Sequence, residues 1–261
     1  MKKILALVLA LMLTVGAFAL AEGGDLLAQI QANGKIVIAT EGDWAPWTYR
    51  DDNGEWMGLE IEIGTLIAEG LGVEPEFQMT PWDSILAGVD AGRFDIACNG
   101  VGVTEERAEK YAFTEPYVYT EVVLVVRSDN EEIQSVKDLA GKNTANTASS
   151  TYAAIAEANG ANVTPVDNLV ETIMLVEQGR VDATINAKAS IDEYLAEQPD
   201  ANIKIVEVLA EGEPVAYPVR KGPETDTLVA AINEILENAR QDGTLGAISE
   251  KYLGADLTHG E

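Results

Sequence analysis

Two hydrophobic periods alternate along this chain. KIVIAT (residues 35–40), EVVLVVR (121–127) and IKIV (203–206) are short, β-branched apolar runs of strand length. Between such runs, LEIEIGTLIAEGL (59–71), WDSILAGVDA (82–91) and LVETIMLVEQ (169–178) place apolar residues every three to four positions, the helical period. Gly72, Gly92 and Gly179 follow these three stretches, where a left-handed helix stop is wanted. Further strands are predicted at 76–79, 142–146 and 163–166, and further helices at 150–159, 190–197, 224–242 and 244–252. Residues 215–219 (VAYPV) read as a second extended crossing beside 121–127. Strands alternating with helices predict an α/β fold.

One device occurs twice. In AGRFDIACNG (91–100) and QGRVDATINA (178–187), Gly92, Arg93, Asp95 and Asn99 recur as Gly179, Arg180, Asp182 and Asn186, each 87 positions later. That interval is no solenoid period. It predicts two α/β lobes of similar build, each presenting the carboxyl end of a strand at a loop. Ligands of open α/β sheets bind beyond such strand ends. Residues 99–104 and 186–188 are therefore expected to line one cleft. Two crossings make the first lobe discontinuous, residues 30–121 with 219–255, around a second lobe of 122–218, an arrangement suited to hinge closure.

Composition removes several function classes. Residues 1–21 carry a basic start (MKK), an apolar run and an Ala19-Leu20-Ala21 exit, the layout of a secretory signal peptide. The expected product is soluble and exported, periplasmic or extracellular, with no cysteine at the exit to carry a lipid. The chain beyond residue 21 has about 240 residues, enough for one large domain or two small ones. The net charge of -27 repels nucleic acid and anionic lipid. A single cysteine, Cys98, excludes intramolecular disulfides and cysteine metal clusters, and DIACNG reads as the end of a buried strand with a core thiol. The single histidine, His259, lies in the tail, which argues against histidine-based hydrolysis. No metal and no cofactor is expected.

The motifs GDWAPWTYRDDNGEWMGLEIEI, WDSILAGVDAGRFDIACNGVGVTEERAEKYAFTEPY, DLAGKNTANTASSTYAAIAEANGA and GRVDATINAKASIDEYL together span most of residues 30–255. In them the chain resembles the bacterial extracellular solute-binding proteins for polar amino acids (family 3), the receptors of ABC importers, and is most similar to the cystine-binding type. The resemblance implies the two-lobed periplasmic-binding-protein fold of type II, each lobe a sheet flanked by helices, with the ligand cleft between lobes. It further implies a monomer that captures an amino acid by closure, docks on membrane permease subunits and catalyses nothing. Two other functions remain open: an exported dehydratase-like enzyme on the same fold, with Glu41 or Glu60 as acid, and a sensory protein feeding a separate signalling partner.

An amino acid carries a carboxylate and an ammonium on one carbon, so its receptor needs a fixed cation, N–H donors and an acid. Arg107 is the candidate cation, because a guanidinium forks onto two oxygens. From its helix alone it reads equally as a surface residue paired with Glu106 or Glu109. Thr104 is placed to cap that helix, and Gly100 and Gly102 let backbone approach a ligand closely. Asn99 and Asn186 end the two duplicated strands. The resemblance assigns the ligand carboxylate to Arg107, helped by Ser150 and Thr151 at the start of a helix, with Thr147 preceding them in the same loop; Ser149 reads as a cap or a contact. Glu41 aligns with an acidic position of the family. The second acid normally follows the TIN strand, but Ala187 stands there; likewise Gly102 replaces a common Ser or Thr. Trp44 matches the aromatic that stacks on ligand side chains. Trp47 and Trp82 read as either core or cleft wall, with Tyr152 or Tyr117 extending the aromatic surface. Asp43 is either a selector of cationic side chains or an exposed turn residue.

Overall fold

The computed structural model describes residues 24–260; the predicted signal peptide at 1–21 lies outside them. The KIVIAT run forms the strand Lys35–Thr40, with Ile36 and Ile38 wholly buried. Each such side chain contributes about 1.5–3 kcal/mol by leaving water. The strand pairs in parallel with Glu74–Met79 on one side and Ile96–Ala97 on the other. Pro218–Arg220 and then Tyr111–Phe113 complete this first sheet. The second sheet runs in the order Asn162–Pro165, Asn143–Asn146, Ala183–Ala187, Val118–Arg127 and Ile203–Val215. The architecture is α/β and two-lobed, each lobe a five-stranded sheet flanked by helices.

The two strand orders correspond place by place. Three parallel strands come first and a fourth lies antiparallel, and the duplicated segment supplies the third strand each time. Its aspartates make the same clasp. Asp95 N donates to Val37 O at 2.8 Å, and Val37 N donates back to the Asp95 carboxylate at 2.8 Å. In the second lobe Asp182 N donates to Asn143 O at 2.7 Å, and Asn143 N returns to the Asp182 carboxylate at 2.8 Å. Each aspartate thus fixes the new strand to its neighbour on both its donor and its acceptor side.

The cores follow from the patterns. Leu59, Ile63 and Ile67 of the helix Leu59–Leu71, and Leu228, Ile232 and Leu236 of the helix Asp226–Gln241, pack with Ile36 and Ile38 of the first sheet. In the second sheet Val123 and Val125 face one core, while Val122, Leu124 and Val126 face the other. This strand is buried on both faces, hence its unbroken apolar run. No described helix is long and apolar enough to cross a membrane.

Two expectations need correction. The strand predicted at 203–206 continues to Val215, with register shifts between Ile205 and Glu207, Val208 and Ala210, and Ala210 and Glu213. Gly212 and Pro214 are poor strand formers, and pairing with Val118–Arg127 overrides them. The second crossing also breaks at Ala216 and Tyr217, so that Pro218 already belongs to the first sheet.

Gly58 joins the helix Leu59–Leu71 to the tryptophan-bearing loop. Leu59 N and Glu60 N donate to Pro46 O and Trp47 O at 3.0 and 2.9 Å. At its φ of 118°, a Cβ on Gly58 would stand 2.3 Å from Trp47 O. Gly58→Ala is expected to destabilise the protein by at least about 2 kcal/mol, through backbone strain and displacement of that loop. A urea unfolding midpoint equal to wild type would refute the close approach.

Candidate functional site

The first lobe's strand ends are locked together by Asn99. Its Oδ1 accepts from Glu41 N at 2.8 Å and from Thr40 Oγ1 at 3.3 Å, while its Nδ2 donates to the Glu41 carboxylate at 2.7 Å. Burial pushes the Glu41 pKa up to about 7; the Asn99 bond opposes this and the charges of Asp43 and Asp83 add to it.

Behind that loop sits a second acid. Glu60 is wholly buried, and its Oε1 accepts from Gly100 N and from the Tyr117 hydroxyl. Among the described residues its Oε2 has no hydrogen-bond partner in normal geometry, although the Tyr217 hydroxyl lies near enough to favour its charged form. Burial raises this carboxyl to about 7 as well, against the hydrogen bonds it accepts. Gly100 has a φ of 56°, and a Cβ there would meet the Trp44 ring at 2.7 Å. Glycine therefore lets Trp44 lie over the loop that Glu60 holds from beneath. Trp44 stacks on Trp47 with centroids 5.3 Å apart, and Trp44 Nε1 donates to Asn186 Oδ1 of the other lobe at 3.3 Å. Cys98, next along, is wholly buried, and burial pushes its thiol pKa up.

Arg107 occupies the helix Glu105–Lys110, whose first turn Thr104 caps by accepting from Arg107 N at 3.1 Å. The guanidinium is turned inward, leaving the residue 9% exposed. Nη1 donates to Gly102 O at 2.9 Å, Nη2 donates to Ser149 O at 3.2 Å, and the group lies 5.4 Å from the Trp82 ring centroid. Among the described residues no carboxylate oxygen comes within 4.0 Å of it. Burial lowers the Arg107 pKa from its ordinary value and the charge of Glu213 partly restores it; an arginine stays cationic under either influence. A buried charge without a counter-charge is costly, and here the cation is held by carbonyl oxygens alone. Gly102 faces Val215 as a non-hydrogen-bonded pair, since Val103 N and Ala216 N make the flanking bonds to Pro214 O and Val101 O. The Gly102 N–H is consequently turned away from Val215.

The second lobe meets this surface with the start of the helix Thr151–Ala158. Ser150 caps it, accepting from Ala153 N at 3.1 Å and donating to Thr147 O at 2.7 Å. First-turn amides of a helix have no internal acceptor and favour an anion. At the rim, Ser149 N and Oγ both donate to Asp83 of the first lobe, at 2.9 and 2.6 Å.

Between the lobes lies a small cavity of about 50 Å³. Glu41, Trp44, Trp47, Trp82, Asn99, Gly100, Gly102 and Arg107 border it from one side, and Thr147, Ser150, Thr151, Tyr152 and Asn186 from the other. Thr104 does not border it: its hydroxyl is used as the cap, one turn away from the guanidinium it supports. Tyr117 is buried against Tyr217, their centroids 4.3 Å apart, and takes no part in the cavity wall. Asp43 does border it, from an exposed position in the short strand Asp43–Trp44. Sequence reasoning missed Thr120, Asn168, Leu169, Glu213 and Val215. Thr120 and Val215 lie on the crossings, and asking which crossing residues face inward would have found them. Glu213 sits in LAEGEPV, a stretch with no strand period to announce it.

The sequence profile of the bacterial extracellular solute-binding proteins, family 3, matches residues 36–255. A probable amino-acid ABC transporter-binding protein of Haemophilus influenzae is 35% identical over 258 residues, 99% of this chain and 100% of that protein. An ancestral arginine-binding protein bound to arginine has a similar structure, with a TM-score of 0.79 and 34% identity over 85% of this chain and 99% of its own. The L-cystine solute receptor of Neisseria gonorrhoeae in an unliganded open conformation is 38% identical, with a TM-score of 0.60 over 90% of this chain and 100% of its own.

Glu60 gives the site a pH dependence. Between pH 4.5, the ordinary carboxyl value, and about 7, the unfolded chain has lost this proton while the folded protein keeps it. The Glu60 contribution to stability is therefore full below pH 4.5, falls as pH rises through that window, and levels off above about 7. The stability of wild type relative to Glu60→Gln is expected to drop by on the order of 3 kcal/mol across it. Urea unfolding of both proteins at several pH values measures the drop; parallel pH profiles would refute it.

Proposed function

The chain belongs to the bacterial extracellular solute-binding proteins, family 3, and we propose that it is the extracytoplasmic receptor of an ABC importer, capturing a polar amino acid for the membrane permease subunits. The observation that carries this reading is the inward-turned Arg107, a buried cation with carbonyl partners and no carboxylate within 4.0 Å among the described residues. A ligand carboxylate supplies that counter-charge. Arg107 takes it on a two-pronged donor, with the Gly102 N–H and the first amides of the Thr151–Ala158 helix closing around it. Glu41 offers an acid on the same lobe as Arg107, and Trp44, Trp47 and Trp82 offer apolar faces for the side chain. The two lobes, residues 30–121 with 219–255 and residues 122–218, close on the ligand as a monomer, and no bond in the ligand is made or broken. The names of the similar proteins favour a cystine-like or cationic amino acid.

A thermal-shift screen of the protein without residues 1–21, against the common amino acids and L-cystine, tests the reading. A true ligand at 100 times its dissociation constant adds about 2.7 kcal/mol of stability. Arg107→Ala is expected to abolish that shift while the protein stays folded, because the loss removes a charge-assisted pair of hydrogen bonds worth about 3 kcal/mol or more. No shift with any amino acid refutes the receptor reading, and a shift retained in Arg107→Ala refutes the assignment of the carboxylate.

A further inference from the structure

Of the acids that border the cavity, Glu213 has so far no use in the receptor reading. Glu213 stands near the end of the crossing strand Ile203–Val215, opposite Thr120, and borders the cavity. A Cβ placed on Gly102 would lie 2.9 Å from Glu213 Oε1 and 4.0 Å from Arg107 Nη1. Carboxylate and guanidinium thus flank the same short piece of backbone. They do not form an ion pair within 4.0 Å, and among the described hydrogen bonds none reaches the Glu213 carboxylate. Burial raises its pKa, and the charge on Arg107 opposes the rise. Glu41 differs, since its carboxylate already receives Asn99 Nδ2 at 2.7 Å.

The geometry of an amino acid narrows what Glu213 can receive. The ammonium nitrogen and carboxylate carbon share one Cα and stand about 2.5 Å apart. Whatever acid binds the ammonium must therefore lie beside the cation that binds the carboxylate. Glu213 does so. The strand Ala183–Ala187, by contrast, ends on the apolar Ala187.

We propose that Glu213 is the ammonium-binding, specificity-determining acid of this cavity, receiving the α-ammonium of an amino acid whose carboxylate lies on Arg107. The proposal rests on the amino-acid receptor reading. Arg107 and Glu213 then form a separated charge pair that matches a zwitterion and discriminates against a carboxylate lacking the amino group. An unmet carboxylate in a partly dry site penalises the latter ligand.

The test compares wild type and Glu213→Gln by calorimetric titration with L-cystine and with its des-amino counterpart 3,3′-dithiodipropionate; L-arginine and 5-guanidinopentanoate serve as a second pair. Glu213→Gln is expected to weaken binding of the amino acid roughly 10- to 100-fold, the worth of a charge-assisted hydrogen bond, and to leave or improve binding of the des-amino ligand. Equal weakening of both ligands overturns the proposal, because Glu213 would then act only through Arg107; an unchanged amino-acid affinity overturns it too. Wild type that binds no amino acid in the thermal screen overturns the receptor reading itself, an outcome separate from an unselective Glu213→Gln. Glu213 is only partly buried, and the unfolding midpoint checks that the variant folds. Should it not, Glu213→Asp, a shorter acid, is expected to show the same selective loss to a smaller degree.

Discussion

The antiparallel pairing of Val118–Arg127 with Ile203–Val215 is the constraint on which the rest of the arrangement depends. Both strands belong to the second sheet, yet their far ends reach the first: Tyr117 N donates to Val215 O at 3.0 Å, and Val103 N to Pro214 O at 2.9 Å. Thr120, Glu213 and Val215 are the cavity's inner wall because they lie on this ribbon. Its register shifts fall on the 13-residue strand, where one strand has more residues than its partner can match. Such bulges bend and twist a ribbon locally, leaving the two hydrophobic cores on either side intact.

Around the cavity, charges are separated rather than paired. Arg107 is held by carbonyls of both lobes, Glu41 by an asparagine, and Glu60 by a glycine amide and a tyrosine hydroxyl. In a chain of net charge -27, a lone inward cation surrounded by so many acids could easily have been neutralised from within. The Gly102 carbonyl prevents it geometrically, engaging the guanidinium on one side while Glu213 stays beyond ion-pair distance on the other. Burial meanwhile raises the Glu41 and Glu60 carboxyls to about 7, so each is only about half ionised at neutral pH.

Much of this was legible in the sequence where one residue type had one physical use. The repeated Gly-Arg-x-Asp segment marked the two lobes, because each aspartate makes the same double clasp on a neighbouring strand. Arg107 was legible because a guanidinium among glycines suits an anion. Thr104 was legible as the cap of the Arg107 helix, and it does not border the cavity. Trp47 could not be separated from Trp44 by pattern, since two stacked rings share a loop and both face inward. Glu213 escaped altogether. Its strand is imposed by the partner strand rather than by local preference, and a glutamate between Gly212 and Pro214 looks like an ordinary loop acid.

The rim bonds between Asp83 and Ser149, with the link from Trp44 to Asn186, join the lobes through protein atoms alone. They stabilise the shut arrangement whether or not a solute contributes. The apparent dissociation constant of a ligand is its intrinsic value divided by the fraction of molecules already competent to hold it. Each such bond is worth about 0.5–1.5 kcal/mol, a factor of roughly 2 to 12 in that fraction while it is small. Asp83 is exposed and does not border the cavity, so any influence it has on affinity runs through its bonds to Ser149. Evolution can retune how much solute is captured at the rim while the charges that choose the solute stay as they are.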